Sequence, residues 1–273
     1  MRLSLSREQK FLYTRVTILL ASVAWIAFFL LGLRGFTFWH APFLLFFWLG
    51  VGLSNYAERS SVWLLFTKRR AFLILFAALA GGAFLFDEFG LRESLWFYPR
   101  YDGWSLLLVY FLLYPLGGLA SLELLYFLAK SLGERLTFVH LPETLAHKAV
   151  DVLESLFFLG VAGSALASLL QPELSSSLVL SLAFSWMLIF ALKLAFHTRH
   201  GTQYLIIVAI SILVSLLLQA MPDVGMFEWV YLGAPILNQL FFNLPLWVFL
   251  CYAWLLLFTL RLWISLILHP KVQ

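Results

Sequence analysis

Eight apolar runs, each close to the length that crosses a lipid bilayer, constrain this chain more than any other feature. They cover residues 16–33, 38–54, 71–86, 104–129, 152–170, 177–196, 202–220 and 244–267. A helix needs about 20 apolar residues to cross the hydrocarbon core. The chain is 63% hydrophobic and 12% charged, whereas soluble domains are about 45–50% apolar and about 25% charged. The sequence therefore predicts an all-α, polytopic integral membrane protein with about eight transmembrane helices.

The basic residues support this count and give an orientation. With the N-terminus placed in the cytoplasm, only Arg34, Arg92 and Arg100 of the 18 basic residues fall on the outer side. Cytoplasmic segments of membrane proteins are enriched in Lys and Arg, and a wrong helix count would scramble this bias downstream of the error. We expect the protein to lie in a bacterial inner membrane with both termini in the cytoplasm. We also expect the first helix to be retained rather than cleaved as a signal peptide.

Several kinds of function are disfavoured by the residues present. The net charge of +4 comes from short basic clusters between apolar runs, which is a topology signal and not a nucleic-acid footprint. Cys251 is the only cysteine, so neither an internal disulfide nor a CxxC site exists. The "HTRH" stretch from His197 to His200 reads better as a basic interfacial loop than as a metal site. We expect no metal, no cofactor and no nucleic-acid partner, but contact with membrane lipids.

The order of acidic and aromatic residues suggests an internal repeat. A cytoplasmic loop near residues 130–151 separates residues 1–140 from residues 141–273, with four predicted spans in each half. Two halves with an even number of spans enter the membrane in the same sense, as in parallel repeats. Asp87 and an aromatic segment around Trp96 precede the last span of the first half, and Asp223 and Trp229 precede that of the second. We therefore predict one membrane domain built as four plus four helices.

Glu123 is the most conspicuous polar residue inside a predicted span. A charged side chain near the bilayer centre costs about 2.5–3.5 kcal/mol on insertion scales, so such residues usually face the bundle interior and have a function. Burial favours a neutral carboxyl group, which is the state of an acid that protonates an apolar substrate. The alternative is a glutamate that packs helices through a hydrogen bond to a neighbour. The sequence leaves both interpretations open.

Further candidates lie near the outer ends of the spans. Asp87 follows the third span directly and is either a solvated helix end or part of a cavity wall. Asn238 and Asn243 either orient a polar ligand group or cap the last span. Aromatic side chains are the candidates for the lining of an apolar cavity, and these are Trp96, Tyr98, Tyr101, Tyr126 and Trp229.

Polar residues near the cytoplasmic ends receive simpler interpretations. Lys148, Asp151 and Glu154 lie on one face of a helix at spacings of three, which is typical of a solvated stripe. Arg261 lies within two turns of the end of the last span and is expected to extend its guanidinium toward the membrane surface.

The stretch from Asp87 through "LWFYPRYDG" to "LASLELLYFL" resembles the membrane-embedded lycopene cyclase domain of the bacterial and fungal carotenoid pathway. In that family an aspartate ends a span, a Trp-x-Phe-x-Pro segment follows, and a Leu-Pro-x-Glu-Glu run opens the next helix before a Phe-Phe pair. Asp87 and Trp96 keep this order, Pro99 and Tyr101 fit the segment, and "ELLYF" from Glu123 fits the second run. The resemblance covers about 45 residues of the first half.

The departures from the family pattern concern its acids. Leu122 stands in place of the second glutamate and Ala120 in place of the proline, while the second half has Trp247 and Val248 in place of both acids. The resemblance implies that such acids protonate a polyene and stabilise the resulting cation. It also implies an ancestral duplication in which one copy lost its acids.

Three functional hypotheses follow. The first is an isoprenoid- or carotenoid-handling membrane protein, cyclase-like, with Glu123 as proton donor and Asp87 as its partner. The second is a non-catalytic accessory subunit of a membrane complex that contacts partner helices, lipids or pigments. The third and weakest is a proton-coupled transporter of small solutes or lipids, which would need helices broken within the membrane.

Overall fold

The computed structural model describes most of the chain after residue 39. The described residues are 40–56, 60–99, 101–131, 145–171, 176–197, 201–225, 230–233, 240–241 and 244–268, with scattered positions before residue 24. The helices are α1 (His40–Ser54), α2 (Ser61–Thr67), α3 (Arg69–Arg92), α4 (Gly103–Leu108), α5 (Tyr114–Ser131), α6 (Leu145–Leu170), α7 (Ser176–His197), α8 (Gly201–Gly225) and α9 (Leu246–Leu268). The short strands are β1 (Trp96–Phe97), β2 (Val230–Tyr231), β3 (Leu240–Phe241) and β4 (Leu244–Pro245).

Five helices in the described part of the chain are long and apolar enough to cross a membrane. They are Arg69–Arg92, Gly103–Ser131, His147–Leu170, Leu178–Ala195 and Leu246–Leu266. These helices match the third, fourth, fifth, sixth and eighth predicted spans, and their length and composition are those of membrane-spanning helices. Shorter apolar stretches, Phe43–Ser54 and Gln203–Leu217, lie at the second and seventh. The first predicted span falls largely outside the described residues.

The second predicted span, residues 38–54, contains α1, whose described part has 15 residues. The sequence patterns gave no element at α2. This short helix follows Ser60, whose side chain accepts a hydrogen bond from the Trp63 N–H in the usual manner of an N-cap.

The fourth span is one long helix with a π-helical turn in its first half. The turn, Val109–Leu113, joins α4 to α5, and the Tyr114 N–H bonds to the Val109 carbonyl. Pro115 follows at once and has no N–H to continue the regular ladder, which explains why the helix widens here. The turn directs the hydroxyls of Tyr110 and Tyr114 to Glu88 and Asp87 on α3. Turns of this kind are frequent at functional sites.

Helix α5 lies at the centre of the bundle. All its residues from Pro115 to Tyr126 are buried, and it packs against α1, α3, α8 and α9. Helices α6 and α7 instead present large apolar side chains outward, including Leu159, Leu170 and Leu188. An apolar exterior is costly in water but is the normal exterior of a helix in lipid.

The loops at one end of the bundle are joined by a small antiparallel sheet. Strand β1, between α3 and α4, pairs with β2, between α8 and α9, so that Trp96 faces Tyr231 and Phe97 faces Val230. The Leu232 N–H extends the contact to the Leu95 carbonyl at 2.8 Å. A second pair, β3 and β4, leads directly into α9. The sheet fixes the loop after α3 against the loop after α8.

The tight packing of α3 against the β1 segment gives a prediction at Gly90. A Cβ atom at Gly90 would overlap the Trp96 indole, whereas one at Gly81 on the same helix would meet nothing within 4 Å. We expect Gly90→Ala to lower the free energy of unfolding by about 1–3 kcal/mol through overpacking. Gly81→Ala should leave it unchanged or raise it by up to ~1 kcal/mol through helix propensity. Unfolding in detergent followed by circular dichroism measures both, and equal stabilities would contradict the packing.

Candidate functional site

Three carboxylates in the described part of the chain are completely buried, and their surroundings differ. Asp87, Glu123 and Glu154 are each 0% exposed. A buried charge or carboxyl group needs hydrogen-bond partners, because leaving it without them is costly. The number of partners at each oxygen therefore shows what each carboxyl group is arranged to do.

Glu123 on α5 has both of its carboxyl oxygens engaged. Oε1 accepts hydrogen bonds from the Ser61 N–H at 2.7 Å and the Ser61 hydroxyl at 2.5 Å. Oε2 accepts one from Asn55 Nδ2 at 3.0 Å, and the same amide group donates to the Glu123 carbonyl oxygen at 2.9 Å. Glu123 therefore receives the first N–H group of α2 and the side chain that ends α1.

The segment between α1 and α2 is shaped to deliver these donors. The Ser60 hydroxyl donates to the Gly52 carbonyl at 2.9 Å, and the Trp48 indole N–H donates to the Ser61 hydroxyl at 2.7 Å. A Cβ atom at Gly52 would overlap the Val62 side chain and would lie 3.3 Å from the Glu123 carboxyl carbon, so glycine allows α1 and α2 to pack closely beside Glu123. These contacts favour the packing interpretation of Glu123.

Asp87 near the end of α3 has one crowded oxygen and one unpaired oxygen. Oδ1 accepts hydrogen bonds from Trp96 Nε1 at 3.0 Å, from the Tyr114 hydroxyl at 2.5 Å and from the Tyr98 hydroxyl. Oδ2 is buried and has no hydrogen-bond partner in the part of the chain that the structure describes. We call Asp87, Trp96, Tyr98 and Tyr114 the Asp87 cluster.

The donors of the Asp87 cluster come from three separate segments. Asp87 lies on α3, Trp96 and Tyr98 belong to the outer loop around β1, and Tyr114 follows the π-helical turn. The hydroxyls of Tyr98 and Tyr114 are themselves 3.1 Å apart. Burial, and then the nearby Asp87 carboxylate, raise the pKa of Tyr98 well above its usual value. The phenol therefore stays protonated and keeps donating.

An apolar cavity lies beside the Asp87 cluster. We call it the aromatic cleft, and its free volume is about 20 Å³, room for little more than one water molecule. Its lining residues are Phe86, Phe89, Leu95, Trp96, Leu180, Ala183, Phe184, Met187, Trp247, Leu250, Cys251 and Trp254. Trp96 belongs to both structures, since its ring faces the cleft while its N–H binds Asp87. Its lining is apolar and aromatic, as in small-molecule sites, but the rings fill most of the space.

The rings of the cleft form a continuous stack from both halves of the chain. Trp96 stacks on Trp247 with ring centroids 5.8 Å apart, and Phe86 stacks on Trp254 at 4.9 Å. Phe86 and Trp96 belong to the first half, while Trp247 and Trp254 lie on α9 in the second. Aromatic faces attract cations as well as apolar groups, so the cleft suits an apolar molecule or a delocalised cation.

The structure brings together some of the residues predicted from sequence and separates others. Asp87, Trp96 and Tyr98 share the Asp87 cluster, and Tyr101 packs edge-on against Tyr98 at 5.9 Å. Glu123 has its partners elsewhere, and the Tyr126 hydroxyl accepts a hydrogen bond from Trp263 at 2.7 Å. Glu123 and Asp87, which were predicted to be partners, therefore share no hydrogen bond in the structure. Trp229, Asn238 and Asn243 lie outside the described residues.

Sequence reasoning missed several residues of the site. Tyr114 was not recognised, although its position directly before Pro115 marks it as part of an irregular turn. Trp247 was noted only as the replacement of an acid and Cys251 only as the single cysteine, while Trp254 was not singled out. Asn55 and Ser61 gave no signal, because single small polar residues near an apolar run are common.

The third buried carboxylate corrects the interpretation of the cytoplasmic stripe. Glu154 is not solvated: it accepts hydrogen bonds from Trp186 Nε1 and Arg261 Nε, each at 2.9 Å, and pairs with Lys193 at 3.2 Å. Lys193 also pairs with Asp151 at 2.9 Å. Arg261 is only partly exposed, so it binds Glu154 rather than simply reaching the membrane surface. This cluster ties α6, α7 and α9 together.

Neither the described geometry nor similarity to other proteins supplies a further assignment. The described residues contain no group of three or more His, Cys, Asp or Glu side chains able to hold a metal ion. Comparison with protein-family models, with curated proteins and with solved structures finds no match.

The contacts of Glu123 predict how its substitutions behave. Glu123→Ala would leave the two donors of Ser61 buried without an acceptor and Asn55 Nδ2 with only the carbonyl oxygen of residue 123, at about 1–3 kcal/mol for each group left unpaired. We expect a loss of unfolding free energy of at least ~2 kcal/mol. Glu123→Gln should cost less, because its carbonyl oxygen still accepts from Ser61.

Ser215→Ala is the control for this series. Ser215 is also buried, but its hydroxyl has no hydrogen-bond partner among the described residues, so its removal should cost little. Unfolding in detergent micelles measures all three variants. If Glu123→Ala is as stable as Ser215→Ala, the carboxyl group does not hold α1, α2 and α5 together.

Proposed function

We propose that the chain is a polytopic protein of a bacterial inner membrane with eight spans and both termini in the cytoplasm. Contacts between helix ends support the alternating directions that this requires. Arg92 at the end of α3 donates to the Leu169 carbonyl at the end of α6, at 2.7 Å. Lys130 at the end of α5 approaches the Ser54 carbonyl at the end of α1, at 3.4 Å. The cluster around Glu154 joins the start of α6 to the ends of α7 and α9.

Single cysteines test this topology. In a Cys251→Ser background, Gln171→Cys places a thiol at an exposed position beyond α6, and Arg70→Cys places one at an exposed position at the start of α3. We expect a membrane-impermeant maleimide to label Gln171→Cys in intact spheroplasts, and Arg70→Cys only after permeabilisation. Labelling of Arg70→Cys in intact spheroplasts would reverse the orientation.

We also propose that residues 1–140 and 141–273 are the two units of a parallel repeat. In a sequence alignment of the two halves that matches Trp96 with Trp229, Phe97 matches Val230. Phe97 and Val230 also face each other in the antiparallel pair of β1 and β2. A two-fold axis between two antiparallel strands relates facing residues in this way. The helix contacts follow the same relation. The last helix of the first half, α5, packs on α8 of the second half, and the last helix of the second half, α9, packs on α3 of the first half.

Within this membrane domain, we propose that the protein handles an isoprenoid or carotenoid molecule bound in the aromatic cleft. The observation that carries the proposal is the lining of the cleft, which is apolar and rich in aromatic rings. Its wall is backed by a buried carboxyl group that holds Trp96 in place. A long apolar chain that enters between these rings would bury apolar surface, and the rings would stabilise positive charge on it.

The geometry favours Asp87 over Glu123 as the acid associated with the ligand. Glu123 has three donors shared between its two oxygens, and its role as proton donor stays a prediction from the sequence. Asp87 retains an unpaired oxygen beside the cleft. Since Asp87 does not itself line the cleft, we assign it the orientation of Trp96 and the stabilisation of positive charge near the ring.

A second candidate function is that of an accessory subunit in a membrane complex. The closed surroundings of Glu123 and the exposed leucines of α6 and α7, such as Leu156 and Leu188, favour it. Those side chains would contact partner helices instead of lipid. A transporter is favoured less, because the aromatic cleft has an apolar lining and not the polar one that a solute pathway needs.

Gentle purification from the native membrane distinguishes these functions. The bound lipids, pigments and polypeptides are identified by mass spectrometry. We expect an isoprenoid in a ratio near one per chain, retained by Leu188→Phe on the exposed face of α7 and lost from Ala183→Phe, which fills the cleft. A polypeptide partner without an isoprenoid would support the subunit. Lipids in the same proportions as the surrounding membrane, with no partner, would contradict both functions.

A further inference from the structure

Three basic residues lie together where α2 ends and α3 begins. Lys68 follows α2, and Arg69 and Arg70 are the first residues of α3. We call these three residues the basic surface. Both arginines are exposed, and Lys68 Nζ lies over the Trp63 ring, 5.8 Å from its centre. Tryptophan rings are enriched at the level of the lipid headgroups, so Trp63 favours placing the basic surface at that level.

The positive charge of the basic surface is not neutralised within the described part of the chain. The ion pairs of that part join Lys193 to Asp151 and Glu154, and Arg261 to Glu154. None of them includes a residue of the basic surface. The cations around Glu154 therefore hold helices together, whereas those of the basic surface keep their charge for a partner outside the described residues.

Apolar side chains follow the arginines on the same face of α3. Leu73 and Ile74 lie four positions after Arg69 and Arg70, and residues four apart share a helix face. Leu73 is 64% exposed and Ile74 is 48% exposed. About one helical turn, ~5.4 Å along the axis, separates these side chains from the charges. This face of α3 therefore presents cations at its end and apolar groups one turn toward the membrane interior.

The arrangement is complementary to a phospholipid with a net negative charge. A guanidinium group matches the geometry of a phosphate and donates two hydrogen bonds to it. A negatively charged headgroup is preferred to a neutral one, because each Lys or Arg near the membrane surface adds electrostatic attraction. A soluble phosphate compound fits less well, because it would leave Leu73 and Ile74 without contacts.

We propose that this face of α3 binds an anionic phospholipid, with the phosphate at Arg69 and Arg70 and an acyl chain along Leu73 and Ile74. The inference goes beyond the function proposed above, but it rests on the proposal that α3 spans the membrane. It requires neither an isoprenoid nor the aromatic cleft.

The preference for a charged headgroup tests the role of the arginines. Phosphatidylglycerol and phosphatidylethanolamine with the same acyl chains are titrated into the purified, delipidated full-length protein in detergent, and binding is followed by native mass spectrometry. We expect phosphatidylglycerol to bind more tightly, and Arg69→Gln and Arg70→Gln each to lower this preference about fivefold. If both variants keep the wild-type preference, the proposal is wrong and the basic surface serves only the orientation of the helix.

Lys148→Gln is the matched control for the arginine variants. It also removes one exposed positive charge, but Lys148 lies on α6, three positions before Asp151. We expect the preference for phosphatidylglycerol to stay unchanged. A loss as large as that of the arginine variants would show that net charge alone decides the preference, and would overturn a specific site on α3.

Photocrosslinking locates the bound lipid. A benzophenone amino acid replaces Leu73 in one variant and Leu192 in a control, and both proteins are irradiated in membranes that contain phosphatidylglycerol and phosphatidylethanolamine. Leu192 on α7 is also exposed, but the charge of its neighbour Lys193 is paired with carboxylates. We expect phosphatidylglycerol to be enriched among the lipids crosslinked at position 73 relative to position 192. The enrichment should disappear when Arg69→Gln and Arg70→Gln are combined.

The crosslinked species separate the possible failures. The same headgroup composition at positions 73 and 192 would overturn the lipid site and leave the membrane topology intact. A polypeptide crosslinked at position 73 would overturn it in favour of a partner helix on this face. If neither position crosslinks to lipid, the proposed membrane arrangement itself is wrong.

Discussion

A carboxyl group inside a bundle of lipid-facing helices must find its hydrogen-bond donors within the protein, because the hydrocarbon of the membrane offers none. This constraint accounts for the main connections of the fold. Glu123 joins α5 to the α1–α2 segment, Asp87 joins α3 to the β1 loop and the π-helical turn, and Glu154 joins α6 to α7 and α9. Helix packing supplies most of the buried area, but these contacts determine which helix faces meet.

The three carboxyl groups differ in how many of their oxygens have hydrogen-bond partners. This difference distinguishes the groups that connect helices from the one that is a functional candidate. Glu123 and Glu154 have partners at both oxygens, so they are best understood as internal connectors. Asp87 has three donors at one oxygen and none at the other among the described residues. Since an unsatisfied buried polar group lowers stability, its presence beside a cavity is easier to explain by binding than by packing.

The sequence predicted the helices well where apolar length decides the structure. The spans around α3, α5, α6, α7 and α9 follow from runs of apolar residues that are long enough to cross a membrane. The prediction failed at α2, because seven residues carry little periodic signal. The helix is stabilised through its N-cap and a carboxylate 62 positions away in sequence.

For the candidate site, residue type alone indicated function but not the partners. The sequence singled out Glu123 as costly in a membrane and Asp87 as a solvated helix end or part of a cavity wall, and both are fully buried. It did not separate them, since the distinction depends on Asn55 and Ser61, which a pattern of apolar residues does not mark. Glu154 was misread because a charge near a helix start is usually solvated, whereas here Arg261 and Lys193 reach it from two other helices.

The cleft takes its residues from both halves of the chain. Phe86 and Trp96 come from the first half, and Trp247 and Trp254 from the second, so neither half forms the lining alone. A carboxyl group in place of Trp247 would be buried among apolar rings and would need its own hydrogen-bond donors. An indole there avoids that cost and adds an aromatic face that stacks on Trp96. The second half therefore contributes rings to the cleft, while the buried carboxyl group that fixes Trp96 comes from the first half.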